Sequence, residues 1–151
     1  MKKIIFGKRI VTSIYNTGIV LRALSSQTFS EMGFEITPEQ YLILDLIIEN
    51  GALYQRQIAE ITLKDRGNVA RIIKILEEKN LITKSQATQR RRIYKISVTE
   101  KGRELRDKMK PVTENLRRTF AKDVSEEELT ITLNTLKKVY GNARGLVKLQ
   151  I

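Results

Sequence analysis

The spacing of apolar residues changes from a helical to a strand period near position 80, and this change constrains the fold of the chain most. Residues 66–79 carry apolar side chains at i, i+3, i+4 and i+7, which predicts an amphipathic helix capped by Asp65. The predicted buried stripe consists of Val69, Ile72, Ile73 and Leu76. Residues 81–84 and 93–98 alternate instead, which predicts two strands of a hairpin with Tyr94, Ile96 and Val98 on one face. A polar tip, residues 85–92, joins the two strands.

Helix signals also dominate the chain before this hairpin. Apolar residues at helical spacing between Lys8 and Met32 predict a long helix that ends at Gly33. Residues 37–40, Thr-Pro-Glu-Gln, form a capping box with proline in the first turn, and they predict a buried central helix that stops at Asn50. A short helix is predicted over residues 55–61. Its expected inward residues are Ile58, Ala59 and Ile61.

Two further helices are predicted after the hairpin. Thr99 can cap a helix that runs to about Lys122, with a kink or break expected near Lys108 because Pro111 lies inside it. Residues 125–128, Ser-Glu-Glu-Glu, form a second capping box. The helix that they start carries an apolar stripe of Leu129, Leu133, Leu136 and Tyr140. The expected fold class is mainly α with a small β-hairpin.

The positive charge of the chain is concentrated in one segment. The 151 residues carry 28 Lys+Arg and 17 Asp+Glu, a formal charge of +11. Residues 64–103 hold twelve basic and four acidic side chains, so 12 − 4 = +8 of that excess lies there. A polyanion-binding surface concentrates charge in this way, whereas a solvated surface spreads it. The alternative, an exposed basic stretch without a partner, stays open.

The absence of Cys and His excludes several classes of site. The chain can form no disulfide, no ordinary structural zinc site, no Ser-His-Asp triad and no thiol redox sensor. The apolar runs are too short to span a bilayer, and no secretory pattern begins the chain, so a cytoplasmic protein without membrane contact is expected. Neither a metal nor a cofactor is predicted.

The predicted order of helix, short helix, turn, amphipathic helix and basic-tipped hairpin is that of a winged helix-turn-helix, which binds double-stranded DNA. Small and basic residues on the exposed face of the amphipathic helix suit close approach to a major groove. These candidates are Arg66, Gly67, Asn68, Ala70, Arg71 and Lys74. Asn and Arg side chains can pair with adenine and guanine, whereas Lys74 is expected to meet phosphate. The candidates in the wing are Lys84, Arg90, Arg91, Arg92 and Lys95. The three arginines are expected to insert along the minor groove or to clamp phosphates, with a disordered basic loop as the open alternative, and the two lysines are expected to add only attraction to the phosphate backbone.

Several segments, in their order and spacing, resemble the MarR family of bacterial transcriptional regulators. They are residues 37–40, 57–59, 65–71, 76–82, 98–102 and 125–136. The likeness covers nearly the whole chain. By family pattern, Arg71 matches the basic residue of the recognition helix, and Arg92 matches the arginine near the wing tip.

The resemblance implies a homodimer that presents two winged heads to a palindromic operator. Repression is the expected outcome with activation as the open alternative, and release by a small-molecule effector stays open beside a partner protein or no effector. Residues 1–34 and 100–151 are then the dimerisation helices, and residues 35–99 the DNA-binding region. Families of this kind often bind small aromatic effectors between the dimer and head regions. Tyr15, Arg22 and Tyr41 are the candidates for such a pocket.

Two positions depart from the family pattern. The family usually has an acidic residue two positions before the wing arginine, often paired to the recognition helix, and this chain has Arg90 there. The placement of the wing is therefore expected to depend more on DNA. Tyr54 occupies a site where the family often has a capping Ser or Thr, which weakens the start of the short helix.

Two other functional classes are alternatives to DNA reading. A winged helix can instead act as an interaction module that binds protein or RNA, and the loss of the wing acid favours this reading slightly. An enzyme ranks last, because the basic segment offers no paired carboxylates, no phosphate-cradling glycine loop and no His.

Overall fold

The structure is a computed structural model that describes residues 2–88 and 91–148. Within these ranges the elements, in chain order, are helix α1 (Lys2–Glu31), helix α2 (Pro38–Asn50), strand β1 (Leu53–Tyr54), helix α3 (Gln55–Thr62), helix α4 (Arg66–Glu78), strand β2 (Ile82–Thr88), strand β3 (Arg91–Val98), helix α5 (Glu100–Phe120) and helix α6 (Glu126–Arg144). The chain divides into two compact units, Met1–Leu42 and Ile43–Ile151. The predicted fold class, mainly α with a small hairpin, is confirmed.

The first unit is dominated by α1, which ends as predicted at Gly33. Gly33 has a φ of 74°, its N–H donates to Ser30 O at 3.0 Å, and the Phe34 N–H donates to Phe29 O at 2.9 Å. This pair of bonds is the Schellman arrangement, which requires the left-handed backbone that glycine adopts easily. The buried ring of Phe29 meets Phe34 and Tyr41 edge to face, with centroids 6.1 and 5.8 Å away.

Helix α2 begins at the predicted capping box and belongs to both units. The Gln40 N–H donates to Thr37 Oγ1 at 3.2 Å, and the Thr37 N–H donates to Gln40 Oε1 at 3.0 Å. Ile43, Leu44 and Ile47 are buried, which confirms α2 as a core element of the second unit. Leu42 is the exception, since its side chain is 63% exposed.

The second unit contains a three-stranded antiparallel sheet in the order β1-β3-β2. β1 was not predicted, because two residues carry no periodic signal; it pairs with β3 through Leu53 and Ile96. The hairpin strands are longer than predicted. β2 continues to Thr88 and β3 begins at Arg91, with a register irregularity between Gln86 and Thr88. Polar residues that the alternation rule assigned to the tip therefore extend the wing.

Helix α5 is one continuous helix from Glu100 to Phe120, so the break expected near Lys108 is wrong, whereas the kink expected there stays a prediction. Pro111 withholds a single N–H, which would have bonded to the carbonyl four residues earlier. Met109, Thr113 and Leu116 on both sides of the proline are buried, and this burial holds the helix together. Thr99 caps it as predicted, because its Oγ1 accepts the Gly102 N–H at 3.1 Å.

Helix α6 starts at the second predicted capping box. The Ser125 hydroxyl accepts the Glu128 N–H at 3.2 Å, and the Ser125 N–H and hydroxyl both donate to Glu128 Oε2 at 2.8 Å. These donated bonds, the backbone one foremost, lower the pKa of the Glu128 carboxyl. The stripe residues Leu129, Leu133, Leu136 and Tyr140 are all exposed, at 38–56%.

Candidate nucleic-acid interface

A tight turn joins α3 to α4 and sets the direction in which α4 begins. Leu63 takes a left-handed backbone with φ 54°, and the Lys64 N–H donates to Ala59 O at 3.2 Å. Asp65 then caps α4, since its Oδ1 accepts the Asn68 N–H at 2.9 Å. The predicted helix, turn and capped helix are confirmed.

The start of α3 lacks the side-chain cap that Ser or Thr would supply, as the departure at Tyr54 implied. Gln57 compensates in part, because its Oε1 accepts the Tyr54 N–H at 2.9 Å. Ile58 and Ala59 are buried as predicted, but Ile61 is 52% exposed, so its inward assignment is wrong. At 3.6 residues per turn, Ile61 lies roughly 110° from the direction midway between Ile58 and Ala59.

Helix α4 has one buried and one exposed face. The buried stripe is the predicted one, Val69, Ile72, Ile73 and Leu76, and each of its side chains is at most 2% exposed. On the other face Arg66, Gly67, Ala70, Arg71 and Lys74 are exposed, and Asn68 is half-buried. The core therefore anchors α4 along one side and leaves its cationic side to solvent.

Neighbouring side chains on this exposed face are in contact. Arg71 Nη2 donates to Asn68 Oδ1 at 3.3 Å, which holds the two candidate base-reading groups together. Lys74 Nζ lies 3.7 Å from Glu78 Oε1, an exposed pair one turn apart. Exposed pairs of this kind exchange readily with solvent, so Lys74 can leave Glu78 for a stronger anion.

The wing is the β2–β3 hairpin, and its stem is the part that is paired from Ile82 opposite Val98 to Gln86 opposite Tyr94. The two predicted lysines of the stem contact other elements. Lys84 on β2 forms an ion pair with Glu77 on α4, with side-chain exposures of 28% and 40%. Lys95 on β3 places its Nζ 5.9 Å from the centroid of the Tyr54 ring. Both lysines therefore have partners within the protein.

The three arginines of the wing are placed less completely. Arg90 lies outside the described residues. The backbones of Arg91 and Arg92 belong to β3, where Arg91 is opposite Thr88. Their roles stay predictions from the sequence.

Sequence reasoning missed Glu77 as a partner of the wing. Glu77 and Lys84 are seven residues apart and lie on different elements, so no helical or strand period relates them. The signal that was available is compositional: Glu77 and Glu78 are the acidic residues at the end of an otherwise basic helix.

The three candidates for an effector pocket are not brought together. Tyr15, 69% exposed, and Arg22 line an open groove along α1, about 560 Å³ in volume, with Ile14, Gly18 and Ile19. Arg22 also lies 3.5 Å from Glu39. Tyr41 does not line this groove, because its ring is buried against Phe29.

Among the described residues, no three His, Cys, Asp or Glu side chains are grouped so that they could hold a metal ion. No described helix has the length and hydropathy needed to cross a membrane.

Comparisons with known proteins agree with this geometry. The MarR family model matches residues 36–94. The chain is 38% identical over 89 residues to YybA of Bacillus subtilis, an uncharacterized HTH-type transcriptional regulator; the match covers 58% of this chain and 59% of that relative.

Solved structures extend the likeness beyond residues 36–94. A crystal structure of the transcriptional regulator SlyA is 28% identical, with a TM-score of 0.79 over 89% of this chain and 93% of that one. A MepR–DNA complex from S. aureus has the same fold at 22% identity, with a TM-score of 0.79 over 87% of this chain and 96% of that one. The winged helix-turn-helix built on α3, α4 and the β2–β3 wing has the fold of these proteins, and residues 36–94 of the chain form a domain of the MarR family.

Proposed function

We propose that this chain is a cytoplasmic, sequence-specific DNA-binding repressor that binds a palindromic operator as a homodimer. The observation that carries the proposal is the exposed face of α4, where Arg66, Asn68, Arg71 and Lys74 stand on a helix anchored by its opposite side. We call α4 the recognition helix from here on. Gly67 and Ala70 have the smallest side chains on this face, so the helix backbone can approach base edges closely there.

The division of labour on the recognition helix follows from side-chain chemistry. Arg71 is suited to guanine and Asn68 to adenine, because each can make two hydrogen bonds to the major-groove edge of that base. Their mutual contact at 3.3 Å presents them as one unit. Lys74, which stands farther along the helix, is suited to phosphate. The fold shared with MepR in its DNA complex supports this use of the helix.

The apolar faces of α1 and α6 support a homodimer. Large exposed apolar side chains recur along both helices. On α1 they include Ile10, Val11, Ile14, Ile19 and Val20, and on α6 the stripe Leu129, Leu133, Leu136 and Tyr140. Exposed apolar patches mark interaction surfaces, so a second copy of the chain is the proposed cover of each helix face. Residues 1–34 and 100–151 then form the dimerisation region, and 35–99 the DNA-binding region.

Leu133→Glu is expected to dissociate the dimer. Burying an unpaired carboxylate in an apolar contact costs several kcal/mol, so the dimer dissociation constant should rise by about 100-fold or more. Sedimentation equilibrium measures it. Asn134→Glu adds the same charge one residue along, about 100° around the helix, and should leave the dimer intact. Equal effects of both variants, or a wild-type chain that sediments as a monomer, would contradict the assignment.

A small-molecule effector is part of the proposal. The groove along α1 contains an aromatic ring at Tyr15 and a cation at Arg22, which suits a small aromatic acid. Tyr41 is not part of this groove, because its ring packs against Phe29. A bound acid would compete with Glu39 for Arg22, a contact of 3.5 Å in this structure.

Salt dependence tests whether the chain binds DNA through this surface. If a dimer contacts ~6–10 phosphates, affinity should fall by about 10³–10⁵ between 50 and 200 mM salt. Fluorescence anisotropy of a labelled random-sequence duplex measures the fall. A chain that ignores duplex DNA at all salt concentrations, but binds single-stranded RNA or a protein, would be an interaction module instead.

A further inference from the structure

We propose that Glu77 and Lys84 are positioning residues that brace the wing against the recognition helix. This proposal rests on the proposed function. The ion pair joins the carboxylate of Glu77, near the end of α4, to the ammonium of Lys84, three residues into β2. In this ion pair the acid lies on the helix and the base lies on the wing.

The base of the wing is already fixed by neighbouring contacts. Thr99 Oγ1 donates to Asn80 O at 2.7 Å, and Lys101 Nζ donates to Lys79 O at 2.9 Å. The Thr99 N–H donates to Leu81 O at 3.1 Å. These bonds secure the residues between α4 and β2 but stop short of the stem. The Glu77–Lys84 pair carries the connection outward along β2.

The opposite edge of the stem has a contact of its own. Lys95 pairs with Ser85, the residue after Lys84, and its ammonium stands over the Tyr54 ring at 5.9 Å. Cation–π contacts of this kind are weakly attractive at exposed sites. The two lysines therefore hold the stem from both sides, Lys84 towards α4 and Lys95 towards the start of α3.

This arrangement changes the role assigned to Lys84. The sequence suggested a phosphate contact, yet the lysine side chain is 28% exposed and its charge is engaged by Glu77. A braced stem holds the first residues of β2 beside the recognition helix before DNA is bound. Preorganisation of this kind spares part of the ordering entropy of binding.

Substitution of Glu77 tests the proposal, because the direction of the change in DNA affinity shows whether Glu77 braces the wing. If Glu77 were merely a solvated acid, Glu77→Gln would remove a negative charge and strengthen binding to DNA. If it braces the wing, Glu77→Gln should weaken binding by up to about fivefold per protomer, the equivalent of one exposed ion pair. Glu78→Gln is the matched control, since Glu78 is the next residue and pairs with Lys74 on the same helix. It should not weaken binding.

A charge exchange separates bracing from direct contact. Lys84→Glu alone should weaken binding under either role. The double variant Glu77→Lys with Lys84→Glu restores the pair with its charges swapped, so bracing predicts recovery of most of the lost affinity. A phosphate contact by Lys84 predicts no recovery. Anisotropy with the labelled random-sequence duplex at low salt measures all variants.

Amide hydrogen exchange in the DNA-free protein supplies a second readout. Glu77→Gln should accelerate amide hydrogen exchange in β2 and β3 relative to α2, whereas Glu78→Gln should not. The double variant Glu77→Lys with Lys84→Glu should restore the wild-type rates. The proposal is overturned if Glu77→Gln leaves amide hydrogen exchange in the wing unchanged, or if it accelerates that exchange without loss of DNA affinity. It is also overturned if the double variant with swapped charges recovers neither the affinity nor the exchange rates. If the wild-type chain binds no duplex, the proposed function fails, and the exchange rates alone decide whether the pair braces the wing.

Discussion

Gly102→Ala is expected to lower the free energy of unfolding by about 3 kcal/mol, the upper part of the range for overpacked sites. A Cβ at this position would lie 2.2 Å from Leu81 O and 2.7 Å from Val98 Cγ1. The carbonyl belongs to the backbone and already accepts the Thr99 N–H at 3.1 Å. Relief of the clash therefore requires α5 to move away from the base of the wing. Urea denaturation at fixed protein concentration measures the loss.

Gly67→Ala is the matched control, because Gly67 also lies in the first turn of a capped helix. Its added Cβ would meet Asp65 Oδ1 at 3.3 Å, the end of a side chain that can shift by a few tenths of an ångström. Its stability should stay within about 0.5 kcal/mol of wild type, as for exposed positions in general. Gly102→Ala at wild-type stability would contradict the close packing of α5 on Leu81. Loss of DNA affinity in Gly67→Ala at unchanged stability would support close approach of the recognition helix to DNA.

Arg71→Ala is expected to relax the choice of DNA sequence. A bidentate arginine contributes about 1–3 kcal/mol of discrimination between base pairs, so the ratio of operator to non-operator affinity should fall by about 5- to 150-fold. Arg91→Ala, predicted to remove a phosphate contact, should weaken binding to all duplexes nearly uniformly and reduce the salt slope by about 1. Competition titrations with operator and scrambled duplexes measure both effects.

The contrast between the two arginines is what gives this experiment its force. Equal loss of discrimination from both variants would mean that recognition helix and wing do not divide the work as proposed. Because Arg71 contacts Asn68 at 3.3 Å, Asn68→Ala should share part of the Arg71→Ala effect, and the two should not be additive.

The ends of the helices were predictable from sequence because caps are local. Thr37, Asp65, Thr99 and Ser125 each accept the N–H three residues later, as their spacing indicated. Features that depend on contacts distant in sequence were not predictable. β1 exists because it pairs with β3, and the continuity of α5 at Pro111 depends on burial on both sides of the proline.

The candidate site was predictable to the same degree. The helical stripe of α4 defined its buried face, and hence the exposed face that carries Arg66, Arg71 and Lys74. The ion pair of Glu77 with Lys84 joins two elements and leaves no periodic trace. Arg90 shows that the usual acid of the wing is missing, but nothing in the sequence indicates that Glu77 on the helix forms an ion pair with the wing. Tyr15 and Arg22 share a groove, whereas packing against Phe29 takes Tyr41 into the core.

Selection of bound duplexes from a random pool tests the central claim most directly, namely that two copies of α4 read DNA together. The account predicts a recovered motif with two inverted half-sites whose centres are about one helical turn, 34–36 Å, apart or a multiple of it. Half-sites of this symmetry require both sequence reading and a two-fold dimer. A pool that remains random after selection, or a single motif without inverted symmetry, would contradict the account.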